Sequence, residues 1–360
     1  MTGARLPRDL HPVAWWVWAL GLATAASFTT NPLVLLTIVA VATLVVLARR
    51  SEQPWADAFR LYVAVAVVIV VMRVLFRVLL GGGADGGLVL LDLPEVPLPH
   101  WVLGLHLLGP VTREALLAGL YDGLRLGTIV VCVGAANALA NPKRLLRSVP
   151  AALHEVGTAL VVAVTVLPQL VDSARRVRAA QALRAGDSRR TGRLRRYLVP
   201  VLEDALERSL ALAAGMDTRG YGRSAGAPQA ERRLTGALML LGLCGVCVGV
   251  YAGLDHTAPR LLATPMLVVG VAAAVAGLVL AGRRVGRTRY RPDPWQWPEL
   301  AVMVSGLATA AVAWWVNGHQ LVVAYPDVSS FPRVTLVALV GALLGLAAVA
   351  AAPEPRMVSA

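Results

Sequence analysis

Charge is scarce in this chain. Only 15% of its 360 residues are Asp, Glu, Lys or Arg, where a soluble domain carries about 25%. Cysteine is scarcer still. Cys132, Cys244 and Cys247 all fall inside apolar runs, which excludes a disulfide scaffold. Cys244 and Cys247 form a C-x-x-C with no second pair and no histidine nearby, so they read as packing residues. The six histidines make no H-x-x-x-H or H-E-x-x-H pattern, so no metal site and no cofactor are expected. No G-x-x-x-x-G-K-[ST] loop occurs, so the chain is not itself an ATPase. Lysine appears once, as Lys143. The other basic residues are arginine, and with so much Ala, Val and Gly this points to a GC-rich bacterial genome.

What the chain has is apolar surface. Hydrophobic residues make up 57%, and the mean hydropathy is +0.65. That excludes disorder. Long apolar runs also exclude a nucleic-acid binder, despite a net charge of +13. A helix that crosses a bilayer needs about 20 mostly apolar residues. Nine runs approach that length: 12–28, 32–48, 60–80, 114–140, 151–170, 234–254, 261–281, 299–317 and 333–352.

Charge decides which of them cross, because Arg and Lys favour the cytoplasmic side. Arg5 and Arg8 put the N-terminus inside, and the same stretch reads as a membrane anchor rather than a cleaved leader. Arg49, Arg50 and Arg60 flank an inner turn. The 81–112 loop has no Arg or Lys and faces outside, and Lys143, Arg144 and Arg147 return the chain to the cytoplasm. If 151–170 crossed, the basic loops at 175–223 and 283–291 would both lie outside. His154, Glu155 and Pro168 also make it a poor span. The expectation is an all-α polytopic membrane protein with about eight crossings and both termini inside. Its parts are an N-terminal membrane region of four spans (1–141), a cytoplasmic or interfacial region (142–233) and a C-terminal membrane region of four spans (234–360).

The cytoplasmic region holds 17 basic and eight acidic residues, a net +9. One helix is expected at 170–185, ending at Arg184-Ala185-Gly186. A second carries Leu194, Leu198, Val201, Leu202, Ala205, Leu206, Ser209 and Leu210 on one stripe. It ends at Thr218-Arg219-Gly220-Tyr221-Gly222, where Gly220 or Gly222 can take the left-handed cap conformation. An arginine at such an end is exposed and rigidly placed, and its planar fork suits carboxylates on a partner. The plainer reading is that Arg219 complements the helix dipole.

Five stretches carry a family resemblance: 180–186, the long run 198–222, and, upstream, Thr30-Asn31-Pro32, Gly123-Leu124-Arg125-Leu126 and 141–146. Together they resemble the transmembrane coupling (T) subunit of energy-coupling factor (ECF) transporters, the CbiQ-like importers of vitamins and metal ions. The resemblance covers roughly residues 10–254, and 255–360 exceed the usual core by about three spans. It implies an X-Arg-Gly motif at the tip of each of two crossing coupling helices. Thr218-Arg219-Gly220 matches outright. Arg184 and Gly186 depart, with Ala185 between them. By resemblance, these arginines dock on two ABC-type ATPase subunits. The amphipathic backs of the helices would pack on a substrate-binding membrane (S) subunit. The expected setting is the bacterial cytoplasmic membrane, with the lipid bilayer as a further partner and no nucleic acid.

Inside the spans, Asp122 and Arg125 read as an i, i+3 ion pair or as a contact with the substrate subunit. Arg73 and Arg77 read as snorkelling or headgroup contacts. Trp15, Trp16, Trp18, Trp314 and Trp315 read as interfacial anchors. Two other classes fit the composition: a self-contained channel or secondary transporter, and an integral-membrane enzyme. The spans show no obvious inverted repeat and no clustered catalytic motif.

Overall fold

The computed structural model describes residues 9–50, 57–79, 88–92, 94, 96–97, 106–107, 109–148, 153–183, 190–220, 229–255, 259–283 and 295–354. Contacts divide the chain into two compact units, residues 1–145 with 292–360, and residues 146–291. The protein is an all-α polytopic membrane protein. Seven helices among the described residues are long and apolar enough to cross a bilayer.

The first unit holds α1 (Pro12–Ser27), α2 (Pro32–Arg49), α3 (Ala58–Leu79) and α4 (Arg113–Leu139), then α10 (Trp297–His319), α11 (Leu321–Ala324) and α12 (Leu336–Ala351, with a 3-10 step at Leu344–Leu346). The short α5 (Pro142–Arg147) closes its first stretch. The 88–112 loop adds what the sequence did not disclose, two small antiparallel ladders. Val89–Asp92 (β1) pairs with Pro110–Thr112 (β4), and Val96–Pro97 (β2) with His106–Leu107 (β3). Thr112 then caps α4, its Oγ1 accepting from the Ala115 N–H at 3.2 Å.

In this unit α1 and α10 run parallel. At their first turns the His11 N–H donates to Glu299 at 3.4 Å, and the His11 and Trp295 rings stack at 4.7 Å. At their far ends the Thr29 hydroxyl and the Thr30 N–H both donate to the Ala324 carbonyl, at 2.8 and 2.9 Å. Midway, Gly21 lies on the Gly306 backbone, and a Cβ on Gly21 would fall 2.3 Å from the Gly306 carbonyl oxygen. Helices approach this closely only through small residues. Both glycines open the same hexapeptide, Gly-Leu-Ala-Thr-Ala-Ala, at 21–26 and 306–311. The flanking leucines differ, since Leu22 is buried and Leu307 exposed. α1 lies inside the bundle and α10 at its edge.

α2 and α12 run parallel in the same way. Asn31 Nδ2 donates to the carbonyls of Val323 and Arg333 at 2.9 and 2.8 Å, while its Oδ1 caps Leu33 at 3.1 Å. Eighteen residues on, by the other end of α2, Arg49 Nη2 donates to the Val349 carbonyl at 2.6 Å. The C-terminal hairpin is therefore built into the N-terminal core. Trp15 and Trp18 belong to that core rather than to an interfacial belt, and Trp18 Nε1 donates to the Gly345 carbonyl at 3.1 Å. Trp314 and Trp315 are exposed, as belt residues are.

The second unit holds α6 (His154–Leu183), α7 (Arg190–Thr218), α8 (Gln229–Leu254) and α9 (Arg260–Arg283). The expected break near 170 is absent. α6 is one helix of 30 residues with Pro168 inside it, and Val156–Leu183 is apolar enough to count among the seven candidate spans. One proline removes one backbone hydrogen bond, and the apolar and basic halves otherwise continue in helical phase. α1 and Leu336–Ala351, read as spans from sequence, are 16 residues each, about 24 Å. α8 and α9 form an antiparallel hairpin along glycines. Gly242, Gly245 and Gly249 face Ala274, Gly270 and Leu267, where a Cβ would come within 2.8 Å of the opposing backbone. Cys244 and Cys247 lie exposed on α8, so they do not pack within the chain, while Cys132 is buried.

Two substitutions test the joint between the C-terminal hairpin and the N-terminal core. Asn31→Ala removes a cap and orphans two carbonyls, at a cost of about 2 kcal/mol. Gly306→Leu forces α10 off α1. Both are expected to lower the melting temperature in detergent, whereas Gly318→Leu, with open space around it, leaves it unchanged.

Candidate functional site

α6 and α7 touch over a short stretch, whereas α8 and α9 pack along much of their length. The contact centres on Asp204. Its carboxylate takes Arg208 Nη2 at 3.0 Å and Arg208 Nε at 3.1 Å from the next turn of α7. From α6 it takes Arg176 Nη2 at 3.6 Å and a hydrogen bond from the buried Ser173 hydroxyl. The Ser173 hydrogen bond, then Arg208 and Arg176, hold the Asp204 carboxyl below its ordinary value of 3.8 against a smaller opposing effect of desolvation.

The expected apolar stripe of α7 divides on folding. Val201 and Ala205 are half-buried beside Asp204. Leu198, Leu202, Leu206 and Leu210 form a row at four-residue spacing and stay 48, 62, 61 and 62% exposed. An apolar row of this kind on an otherwise charged helix is a surface without cover among the described residues.

The tip of α7 is well defined. The Arg219 N–H donates to the Met216 carbonyl at 3.2 Å, and the Gly220 N–H to the Asp217 carbonyl at 2.9 Å. Gly220 has φ +74°, so of the two cap candidates it takes the left-handed position. The Thr218 hydroxyl turns back to the Gly215 carbonyl at 3.0 Å. Arg219 is exposed, and among the described residues no carboxylate lies against it. Arg184 and Gly186 lie outside the described residues, as does 284–291, most of the second basic loop.

Asp122 and Arg125 do not pair with each other. Asp122 faces Arg77 of α3, with Nη2 to Oδ2 at 3.7 Å. Arg125 donates to the Ser27 carbonyl at the end of α1. That carbonyl is among the last four of α1, which have no partner within the helix, and a cation there also meets the negative end of the dipole. The i, i+3 spacing was compatible with a pair, but neighbouring helices offered each side chain a better partner. The sequence reading also missed a glycine ladder. Gly119, Gly123 and Gly127 of α4 lie against Arg77, Val70 and Ala66 of α3. Its signal was in plain view, as small residues spaced four apart in an apolar run.

One more relation bears on topology. Beyond α4, Arg144 Nη1 donates to the carbonyls of Asp9 and Leu10 at 3.1 and 3.3 Å and pairs with the Asp9 carboxylate at 3.8 Å. Trp295 and Glu299 sit on His11. The chain thus leaves the first unit and re-enters it at the same end, where α1 begins.

The sequence profile of the CbiQ family, described as cobalt transport protein, matches residues 3–229. The chain belongs to this family. No curated protein matches it. As a CbiQ-family member it is a multi-pass membrane transport component. The match takes in α1 to α7, with the Asp204 contact and the Arg219 tip, and ends where α8 begins.

The lowered Asp204 pKa fixes the sign of a pH effect. A depressed carboxyl stabilises the α6–α7 contact above its ordinary value of 3.8 and loses that effect as pH falls through the lowered one. Spin labels on α6 and α7 should keep a narrow distance distribution from neutral pH down to mild acid, and broaden below 3.8. Asp204→Asn should broaden it at neutral pH.

Proposed function

We propose that this CbiQ-family chain is the transmembrane coupling subunit of an ECF-type ABC importer for a vitamin or metal ion. Two ABC-type ATPase subunits hydrolyse ATP. A substrate-binding membrane subunit holds the cargo, and this chain carries motion between them. The observation that supports the reading best is the tip of α7. Thr218-Arg219-Gly220 ends a 29-residue helix with Gly220 left-handed and Arg219 exposed, with no carboxylate against it among the described residues. A planar fork on a rigid rod suits a carboxylate-lined groove on a soluble partner. The leucine row 198–210 on the same helix is the surface for the membrane partner, so one rod touches both.

The cytoplasmic placement of α6 and α7 has support beyond charge. α4 ends and α10 begins at the same end of the first unit, so the chain between them crosses an even number of times. The α8–α9 hairpin contributes an even number. An even total argues against α6 alone as a further crossing, despite its length and apolarity, and α7 is too polar to cross with it. Both termini and both basic regions then share the cytoplasmic face of the bacterial membrane.

Co-expression with the ATPases tests the role. Arg219→Glu is expected to strip the ATPases from the purified complex and to cut uptake about tenfold or more, while the chain still accumulates in the membrane. Retained ATPase and uptake would remove the coupling reading. Reporter fusions at residues 190–215 should map to the cytoplasm, and a periplasmic result would overturn the topology.

A further inference from the structure

α3 is a 22-residue span with only Phe59 and Ala66 buried, and α4 is its principal neighbour. It carries two arginines one turn apart, Arg73 and Arg77. α4 makes room for both. A Cβ at Gly119 would fall 2.9 Å from Arg77 Cγ, and one at Gly123 would fall 3.3 Å from Arg73 Cβ and 2.9 Å from Val70 Cα. The Arg77 stem therefore lies along a groove that any larger residue would fill, with the backbone and Cβ of Arg73 beside it. The groove opens into a cleft of about 600 Å³ lined by Ile69, Met72, Arg73, Phe76, Arg77, Gly119 and Asp122. Arg77 is satisfied by Asp122 at 3.7 Å. Arg73 has no hydrogen-bond or ion-pair partner among the described residues.

The depth of Arg73 makes this significant. α3 is about 33 Å long, close to the roughly 30 Å of bilayer hydrocarbon. Arg73 lies six residues from its end, about 9 Å below it. An unpaired guanidinium at that depth is costly, and such groups find an anion or a polar cavity. The cleft has three features side by side: a free cation at Arg73, a carboxylate at Asp122 that only one arginine engages, and an apolar wall of Ile69, Met72 and Phe76.

We propose that this cleft is a binding site for a zwitterionic phospholipid of the ethanolamine type. Its phosphate takes Arg73, its ammonium takes Asp122, and the upper part of one acyl chain covers Ile69, Met72 and Phe76. A plain anion takes Arg73 but leaves the Asp122 carboxylate, which Arg77 meets at one oxygen, without a second donor. A hydrocarbon tail alone leaves Arg73 unpaired. The lipid then forms part of the α3–α4 pair, sealing the charged face of a helix the rest of the chain leaves open.

Delipidated full-length protein in detergent is titrated with phosphatidylethanolamine, phosphatidylglycerol or inorganic phosphate. Melting temperature and bound lipid by native mass spectrometry are the readouts. Phosphatidylethanolamine is expected to raise the melting temperature and bind near one per chain, phosphatidylglycerol to act more weakly, and phosphate to do nothing. Arg73→Gln leaves the Arg77–Asp122 pair in place and should weaken phosphatidylethanolamine binding about tenfold. Asp122→Asn should erase the preference for ethanolamine over glycerol headgroups. Three results would overturn the proposal: equal lipid binding by Arg73→Gln, an equal gain from inorganic phosphate, or loss of a co-purifying membrane subunit in Arg73→Gln with lipid content unchanged.

Discussion

The backbone contact between Gly21 and Gly306 is the constraint on which the rest depends. Inside a bilayer, helices gain little from hiding apolar surface, so close packing has to hold them. Two glycines with no Cβ between them set α10 against α1, and the hydrogen bonds at either end fix the two helices as parallel. That direction has consequences far from the contact. It brings residues 295–299 to the end where α1 starts. Arg144 reaches the same end through Asp9 and Leu10. Whatever lies between 145 and 295 must begin and finish there.

Within that intervening segment the chain uses two ways of joining helices. α8 and α9 interlock through glycines along their length, and no part of one can shift without displacing backbone of the other. α6 and α7 meet at one carboxylate and its partners, with the side chains largely in water. Partly exposed ion pairs are worth about 0–1 kcal/mol each. A contact of that kind sets an angle without freezing it. It also leaves the leucine row and the arginine tip of α7 uncommitted among the described residues, as the proposed coupling role requires.

Much of this was legible in the sequence, because hydropathy and charge act locally. The apolar runs became helices. The polar run after Arg190 became a separate helix, and it ends at a left-handed glycine as Thr-Arg-Gly implied. What stayed hidden depends on partners distant in the chain. Asp122 and Arg125 are close in sequence and opposite in sign, yet each found a nearer partner on another helix. Trp15 and Trp18 look like interfacial residues until α10 and α12 arrive to bury them. α6 looked like two segments because Pro168, with His154 and Glu155, made 151–170 a poor span. The candidate site divides the same way: the tip at Arg219 is a local motif, while the Asp204 contact needs two helices to be seen.

The arginines show how one side chain serves different ends according to its surroundings. Arg125 spends its charge on a helix-end carbonyl, Arg77 on a carboxylate and Arg208 on the α6–α7 contact. Two others, Arg73 and Arg219, have no partner among the described residues. In water an unpaired guanidinium is well solvated, so Arg219 can wait at its tip indefinitely at little cost. Within the depth of a bilayer the same group lacks that solvation, and Arg73 sits about 9 Å below the end of its helix. On the two proposals, Arg219 then serves an occasional partner and Arg73 a resident one.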